Sequence, residues 1–462
     1  MKHLFPDIRD WPIFKLSERR QEFINEINEF VYSLFSHYDF KDLHDVITKT
    51  IYQEKLRVKN NAWTVDPPNE AQFWAKLQKR LSEETDTSQS ANNRLILEEL
   101  LRIIINRYAQ EIVGSFKIST FLFARRFLTL FFNAIYNPFS GKHFLTGWTS
   151  AKLLMKKMRV EGPVDDIRAL CKDHIVVVVP THSSNLDSIL IGYMLDFKTG
   201  LPGFAYGAGL NLYNFGLAAY FMNRLGAYRV DRRKKNAVYL ETLKAMSQIS
   251  IRQGTNSLFF PGGTRSRSNH IEQKLKLGLL GTTVHAQRDL CEAGSSTRIV
   301  IVPLVVNNHF VLEAPSLVNE HLRALGKEQY QRQKTNYSVF RRAGYWLSFF
   351  KRDTEVVFRF GKPVDVFGNQ MNAAAQSRHR SGHIVSLEDY FKIGEEIIKD
   401  EQREAEYTRL LAQYIAQAYK ENTVVLESMM VAWSVFHLLL RQYKEPDVFS
   451  LLKYKPEELE LP

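Results

Sequence analysis

The chain has 462 residues, of which 45% are hydrophobic, 12% aromatic and 24% charged, and its net charge is +12. That length predicts two or three domains, and the composition excludes a disordered or fibrous chain. The surplus of lysine and arginine favours anionic partners, whether nucleic acid, lipid headgroups or phosphorylated substrates.

Two cysteines, Cys171 and Cys291, stand in no metal-ligand spacing and are too few for a disulfide framework, which fits a reducing compartment. Met1 to Phe14 carries Asp7 and Asp10 and has no apolar stretch, so a signal peptide is not expected. No run of about 18 apolar residues suggests a spanning helix. The nearest approaches are Phe121–Ile135, interrupted by Arg125 and Arg126, and Val424–Leu440, which holds Glu427 and His437. Both read first as buried helices, the former also as an interfacial segment.

In chain order, residues 1–147 read as a helical region. Leu16–Tyr38 and Asn92–Tyr108 carry apolar residues at three- and four-residue steps, as in Phe23, Ile27, Phe30, Val31 and Leu34, with Ser17 or a neighbour as the first cap. The polar patch Glu83–Asn93 reads as a loop. Residues 148–370 change texture. Short β-branched runs, at Ile175–Val179, Gly203–Tyr206, Ala227–Val230, Ser257–Phe260, Ile299–Val306 and Glu355–Phe360, alternate with helical segments at Asn236–Arg252 and Leu275–Arg288. This alternation predicts an α/β layer around a mixed, largely parallel sheet. Residues 371–462 form a third region, helical from about Ser386.

Four segments of the middle region carry chemistry. Strand Ile175–Val179 runs into Pro180 and then Thr181-His182-Ser183-Ser184-Asn185-Leu186-Asp187. Pro180 ends the ladder and Asn185 suits a helix cap. On a continuous helix His182 and Asp187 would diverge by about 140°. With a loop between them the carboxylate folds back onto the imidazole, orients it and stabilises its protonated form. The second segment, Gly226–Arg233, is a short strand ending in Arg232 and Arg233 and continued by Lys234 and Lys235, a set suited to phosphate oxygens. The third, Leu258–Ser268, passes through Pro261-Gly262-Gly263 into Thr264, Arg265, Ser266 and Arg267. Its glycines let backbone approach an anion, and its hydroxyls and guanidiniums supply hydrogen bonds and charge. It lacks the Gly-Lys-Ser/Thr ending of a Walker loop. The fourth, Val302-Pro303-Leu304-Val305, reads as a strand lining a pocket wall.

In this order and spacing the four segments, over about Val160–Val306, resemble the glycerolipid acyltransferase family, which includes glycerol-3-phosphate and lysophosphatidic acid acyltransferases. The resemblance implies an α/β acyltransferase core with helical N- and C-terminal regions. It implies His182 as general base and Asp187 as its partner. Arg232 and Arg265 become ligands of the acceptor phosphate, joined by Arg267 and Lys274. Gly262, Gly263, Thr264 and Ser266 form the turn beside the substrate, and Pro303 stands in the pocket wall. Lys274–Leu280 resembles the lysine- and glycine-containing helix start that follows the third block in glycerol-3-phosphate acyltransferases.

Two departures qualify the match. The family's third block usually reads Pro-Glu-Gly-Thr-Arg, and Gly262 stands where the glutamate is expected; a Gly-Gly here also resembles soluble plastid-type members. The second block reads Val-Asp-Arg, closer to the lysophosphatidate branch. The implied reaction is direct transfer from an acyl-CoA or acyl-carrier-protein thioester to glycerol 3-phosphate. Lysophosphatidate and dihydroxyacetone phosphate are the alternative acceptors, and an inactive, basic membrane-binding protein is the alternative of another class. No Gly-x-Ser-x-Gly elbow is present and no acyl-enzyme, metal or other cofactor is implied. Backbone amides near Gly262 and Gly263 are the expected oxyanion donors. An amphiphilic product implies a cytoplasmic protein held peripherally on the inner face of an anionic membrane, with Phe121–Phe132 as a contact. Without an aromatic-plus-basic RNA pattern or a zinc spacing, nucleic acid is not an expected partner.

Overall fold

The computed structural model describes residues 2–63, 65–84, 91–136, 155–184, 187–210, 220–263, 265–266, 270–309, 322, 326 and 355–442. Six helices come first: α1 (Pro12–Glu18), α2 (Arg20–Ser36), α3 (Phe40–Asn60), α4 (Glu70–Glu84), α5 (Ala91–Ile112) and α6 (Ile118–Tyr136). The expected single helix over Leu16–Tyr38 is broken at Arg19 into α1 and α2. Ser17 lies inside α1 and caps nothing; its Oγ instead accepts the Phe116 backbone N–H at 2.8 Å. Capping falls where a carboxylate precedes the first turn, as at Asp39, which accepts from the Asp42 amide ahead of α3.

The α/β part contains β1 (Met158–Glu161), α7 (Val164–Leu170), β2 (Ile175–Pro180), α8 (Asp187–Met194), β3 (Ala205–Gly209), β4 (Ala227–Val230), α9 (Ala237–Arg252), β5 (Ser257–Leu258), α10 (Leu277–Glu292), β6 (Ile299–Asn308) and β7 (Val356–Phe360). The seven strands lie in the order β1-β7-β6-β2-β5-β3-β4. Neighbours run parallel except β6 and β7, which are antiparallel. The sheet is therefore mixed and largely parallel. β3 starts two residues later than the sequence suggests and continues through Gly207 and Gly209. Glycine normally weakens a strand, but the Tyr228 ring lies against Gly207, where an added Cβ would be 3.0 Å from its hydroxyl.

Strand β2 is apolar throughout because both of its faces are covered. Val176 and Val178 point into a core formed with α7, α8 and Phe132 of α6. Ile175, Val177 and Val179 point into a second core formed with α10 and the C-terminal helix α11 (Glu401–Asn422). Each such buried aliphatic side chain contributes about 1.5–3 kcal/mol of transfer free energy. A third core joins α2, α3, α4 and α5 to α9, through residues such as Ile27, Ile47, Trp74, Leu101 and Met246. The N-terminal helices thus pack on a helix of the α/β layer.

The C-terminal region is helical as expected, but its long helices start later than Ser386. Residues 370–397 form two-residue strands, Gln370–Met371 to Glu396–Ile397, and the first long helix begins only at Glu401, capped by Asp400. Tyr419 of α11 is fully buried and donates its hydroxyl to the Val179 carbonyl at 3.1 Å. Helix α12 (Glu427–Gln442) corrects the buried-helix reading of Val424–Leu440. Only Leu426 and Leu439 are buried there, while Met430, Val431 and Trp433 are about 60% exposed. No single described helix is long and apolar enough to cross a membrane; α11 and α12 together pass a length-and-composition test only as a pair bent by 86°.

Candidate active site

The carboxyl ends of β2, β3, β4 and β5 open on one side of the sheet, the usual ligand position in open α/β layers. A cavity of about 790 Å³ lies there, lined by His182 beyond β2, Gly209 of β3, Val230 and Arg232 at the end of β4, and Phe259 beyond β5.

Hydrogen bonds hold the loop after β2 at both ends. The Thr181 amide donates to the Leu304 carbonyl, and the Thr181 hydroxyl accepts from the Val306 amide. The chain then turns, and α8 starts at Asp187 with an acidic side chain in its first turn, where the helix dipole favours negative charge. Asp187 is 1% exposed. Its Oδ2 accepts from the Ser183 and Ser184 amides, both at 2.7 Å, and lies 3.1 Å from His182 Nδ1. With Nδ1 facing the carboxylate, Nε2 is the nitrogen left to take a proton. The His182 ring stacks on Phe260 at 4.1 Å between centroids, which fixes its plane. Asn185, the expected cap, lies outside the described residues.

The basic segment divides in two. Arg233 is bound to Asp66 and Asp231 and lies over the Trp63 ring. Lys234 is fully buried and pairs with Glu111 of α5 at 2.6 Å. These two anchor the β4–α9 turn to the N-terminal helices. Arg232 and Lys235 line the cavity, Lys234 also borders it, and Arg233 does not. Burial, followed by the nearby charge of Arg265, lowers the Arg232 pKa. The two guanidiniums are close enough to repel, an arrangement suited to an anion.

In the third segment Gly263, with φ +77°, makes the turn and donates its amide to the Phe260 carbonyl at 3.0 Å. That amide is spent in the turn, which removes it from the expected oxyanion donors. Gly263 and Arg265 line the cavity. Ser266 uses its amide to hold the His182 carbonyl at 2.8 Å and its hydroxyl to reach the His270 carbonyl. Thr264 and Arg267 lie outside the described residues.

Two expectations are corrected. Lys274 is exposed and does not line the cavity; Lys276, two residues on, does. The Lys276 amide donates to the Pro261 carbonyl at 2.7 Å, which draws that residue to the cavity edge. Pro303 is not in the cavity wall either. It sits within β6 opposite Val179 and packs on Gly361, where an added Cβ would be 3.3 Å from the Pro303 Cβ. Sequence reasoning also missed Glu272, whose carboxylate lies over Gly262. Among the described residues no group of three or more His, Cys, Asp or Glu side chains is arranged to hold a metal ion.

A second, apolar cavity lies between α6 and α8, lined by Phe121, Leu128, Ile189 and Tyr193. Ser188, the residue after Asp187, borders both cavities.

Residues 160–307 match the family model described as Acyltransferase, so the likeness to that family lies in the α/β part of the chain. Its similarity lies with the glycerolipid branch. The chain is 26% identical over 263 residues to a glycerol-3-phosphate acyltransferase of Pseudomonas putida (strain W619), covering 57% of this chain and 28% of the relative. It is 26% identical over 278 residues to that of Pseudomonas fluorescens (strain SBW25), and 25% identical over 279 residues to that of Pseudomonas paraeruginosa. In both, 60% of this chain and 29% of the relative are covered. The aligned part thus spans less than a third of the length of these relatives.

Proposed function

We infer that this protein transfers a fatty acyl group from an acyl thioester to a hydroxyl of glycerol 3-phosphate. The observation that carries the reading is the single cavity shared by the His182–Asp187 pair, Arg232 and Arg265. A phosphorylated acceptor held by the two arginines can present its hydroxyl to His182 Nε2. The imidazole takes the hydroxyl proton while the oxygen attacks the thioester carbonyl carbon. Asp187 balances the resulting imidazolium. The tetrahedral intermediate collapses with cleavage of the carbon–sulfur bond, and the thiolate leaves with the proton from His182. This chemistry needs no metal or organic cofactor. The apolar cavity beside Ser188 suits the acyl chain.

The relatives' name supports glycerol 3-phosphate as acceptor. The Val230-Asp231-Arg232 sequence favours lysophosphatidate. Labelled acyl-CoA and acyl-carrier-protein thioesters, each offered with glycerol 3-phosphate, lysophosphatidate and dihydroxyacetone phosphate, separate these readings. Acyl glycerol 3-phosphate as the main product is expected. No product from glycerol 3-phosphate would remove the first acceptor, and no product from any acceptor would leave the chain an inactive binding protein.

The reading extends to peripheral attachment at the inner, cytoplasmic face of an anionic membrane. Leu122, Phe123 and Phe127 on α6 and the apolar residues of α12 are exposed, and the net charge of +12 favours anionic headgroups.

A further inference from the structure

We propose that Glu272 is a positioning residue for His182, its carboxyl group taking the space left by the missing side chain at position 262 and bracing the backbone of the catalytic loop. The proposal rests on the acyltransfer reading for its kinetic consequence, but the contact itself is structural. An added Cβ on Gly262 would lie 2.4 Å from Glu272 Cδ and Oε1 and 2.9 Å from Oε2. A side chain at 262 and the present position of Glu272 are therefore mutually exclusive. The turn lacks its own carboxylate, and one arrives from ten residues downstream.

The segment that carries Glu272 holds the His182 carbonyl and sets a carboxylate near the His182 amide. Ser266 donates its amide to the His182 carbonyl at 2.8 Å. The His182 amide faces the Glu272 carboxylate and favours its charged form. The loop is closed at its base by the Lys276 amide on the Pro261 carbonyl. Both Glu272 oxygens are shielded from solvent and make no regular hydrogen bond among the described residues. A shielded carboxyl group with so little compensation is costly to ionise. Its charge acts on Asp187 from one side and on Tyr419 of α11 from the other. Burial, with Asp187 adding to it, pushes the carboxyl up to about 7, against the opposing His182 amide. Near neutrality the group changes charge next to the His–Asp pair, from outside the residues that line the cavity.

The test has two readouts. The first is the NMR titration of the His182 ring in histidine-labelled full-length protein, which requires no turnover. In the wild type the ring should report a second ionisation near neutral pH, absent from Glu272→Gln, which keeps the shape but cannot ionise. Superimposable His182 titrations in the two proteins would overturn the proposal. The second is kinetic. Glu272→Ala should lower kcat by about ten- to a hundredfold, the usual effect of misplacing a reacting group, with the acceptor KM nearly unchanged. Restoring a carboxylate with Gly262→Glu in the Glu272→Ala background should recover much of kcat. In active wild type, an unchanged kcat for folded Glu272→Ala would overturn the bracing role. Absence of wild-type activity would count against the acyltransfer reading, while the titration would still decide Glu272.

Discussion

His182 and Asp187 are five positions apart, yet the loop between them brings Nδ1 within 3.1 Å of the carboxylate. Removing the imidazole by His182→Ala should reduce kcat by about 10²–10⁴-fold, the range for a lost general base, with the acceptor KM much less affected. Steady-state acyl transfer checks this. The two adjacent arginines of the basic segment should separate cleanly. Arg232→Ala should lower kcat/KM for the phosphorylated acceptor by about ten- to a hundredfold, as expected for a lost charge-assisted hydrogen bond, with little effect on unfolding. Arg233→Ala should instead destabilise the fold by about 3–5 kcal/mol, because it takes the guanidinium from buried Asp231, whereas Asp66 keeps its pair with Arg57. Urea unfolding of both variants is the measurement, and equal effects on stability would refute the division. The His–Asp pair was legible in the sequence because a strand end, a proline and a loop constrain it locally. The division of Arg232, Arg233, Lys234 and Lys235 was not, because their partners Asp66 and Glu111 lie more than a hundred residues upstream. Glu272 and Lys276 were missed for a similar reason, since an irregular loop has no period from which to read which side chains turn inward.

Among the elements, the strands were legible because burial on both faces leaves an uninterrupted apolar run, as in β2 and β6. β3 was displaced because Gly207 and Gly209 add no side chain to the apolar run, although the Tyr228 ring fills the space at Gly207. The short β1 and α7 carry too few residues for either periodicity to stand out. Helix α12 was misread from hydropathy, which reports apolar content but not what covers it. Its exposed Met430, Val431 and Trp433 supply a direct test of membrane attachment. Trp433→Glu should weaken co-sedimentation with anionic vesicles severalfold at low salt without changing the thermal midpoint. Wild-type protein that remains entirely in the supernatant would refute the membrane assignment.

Across the whole molecule, the buried carboxyl of Glu272 links folding to pH. Its folded pKa of about 7 lies above the ordinary 4.5, so the native state holds this proton more tightly than the unfolded chain. Its stabilising effect is complete below about 4.5 and is lost as pH rises through about 7. Urea titrations at pH 5 and pH 8 should therefore show a loss of stability on going up that is smaller in Glu272→Gln. An identical pH dependence in both proteins would contradict the sign or the site.

The core that α2, α3, α4 and α5 share with α9 has a practical consequence for anyone trimming the protein. The segment matched by the family model cannot be excised at its sequence borders and remain sound. A shortened version starting at Met155 would uncover the greasy flank of α9, including Val238, Met246 and Ile249, and leave Lys234 without its counter-charge. Such a fragment should collect in inclusion bodies, whereas co-expression with the missing helices as a separate polypeptide should restore solubility.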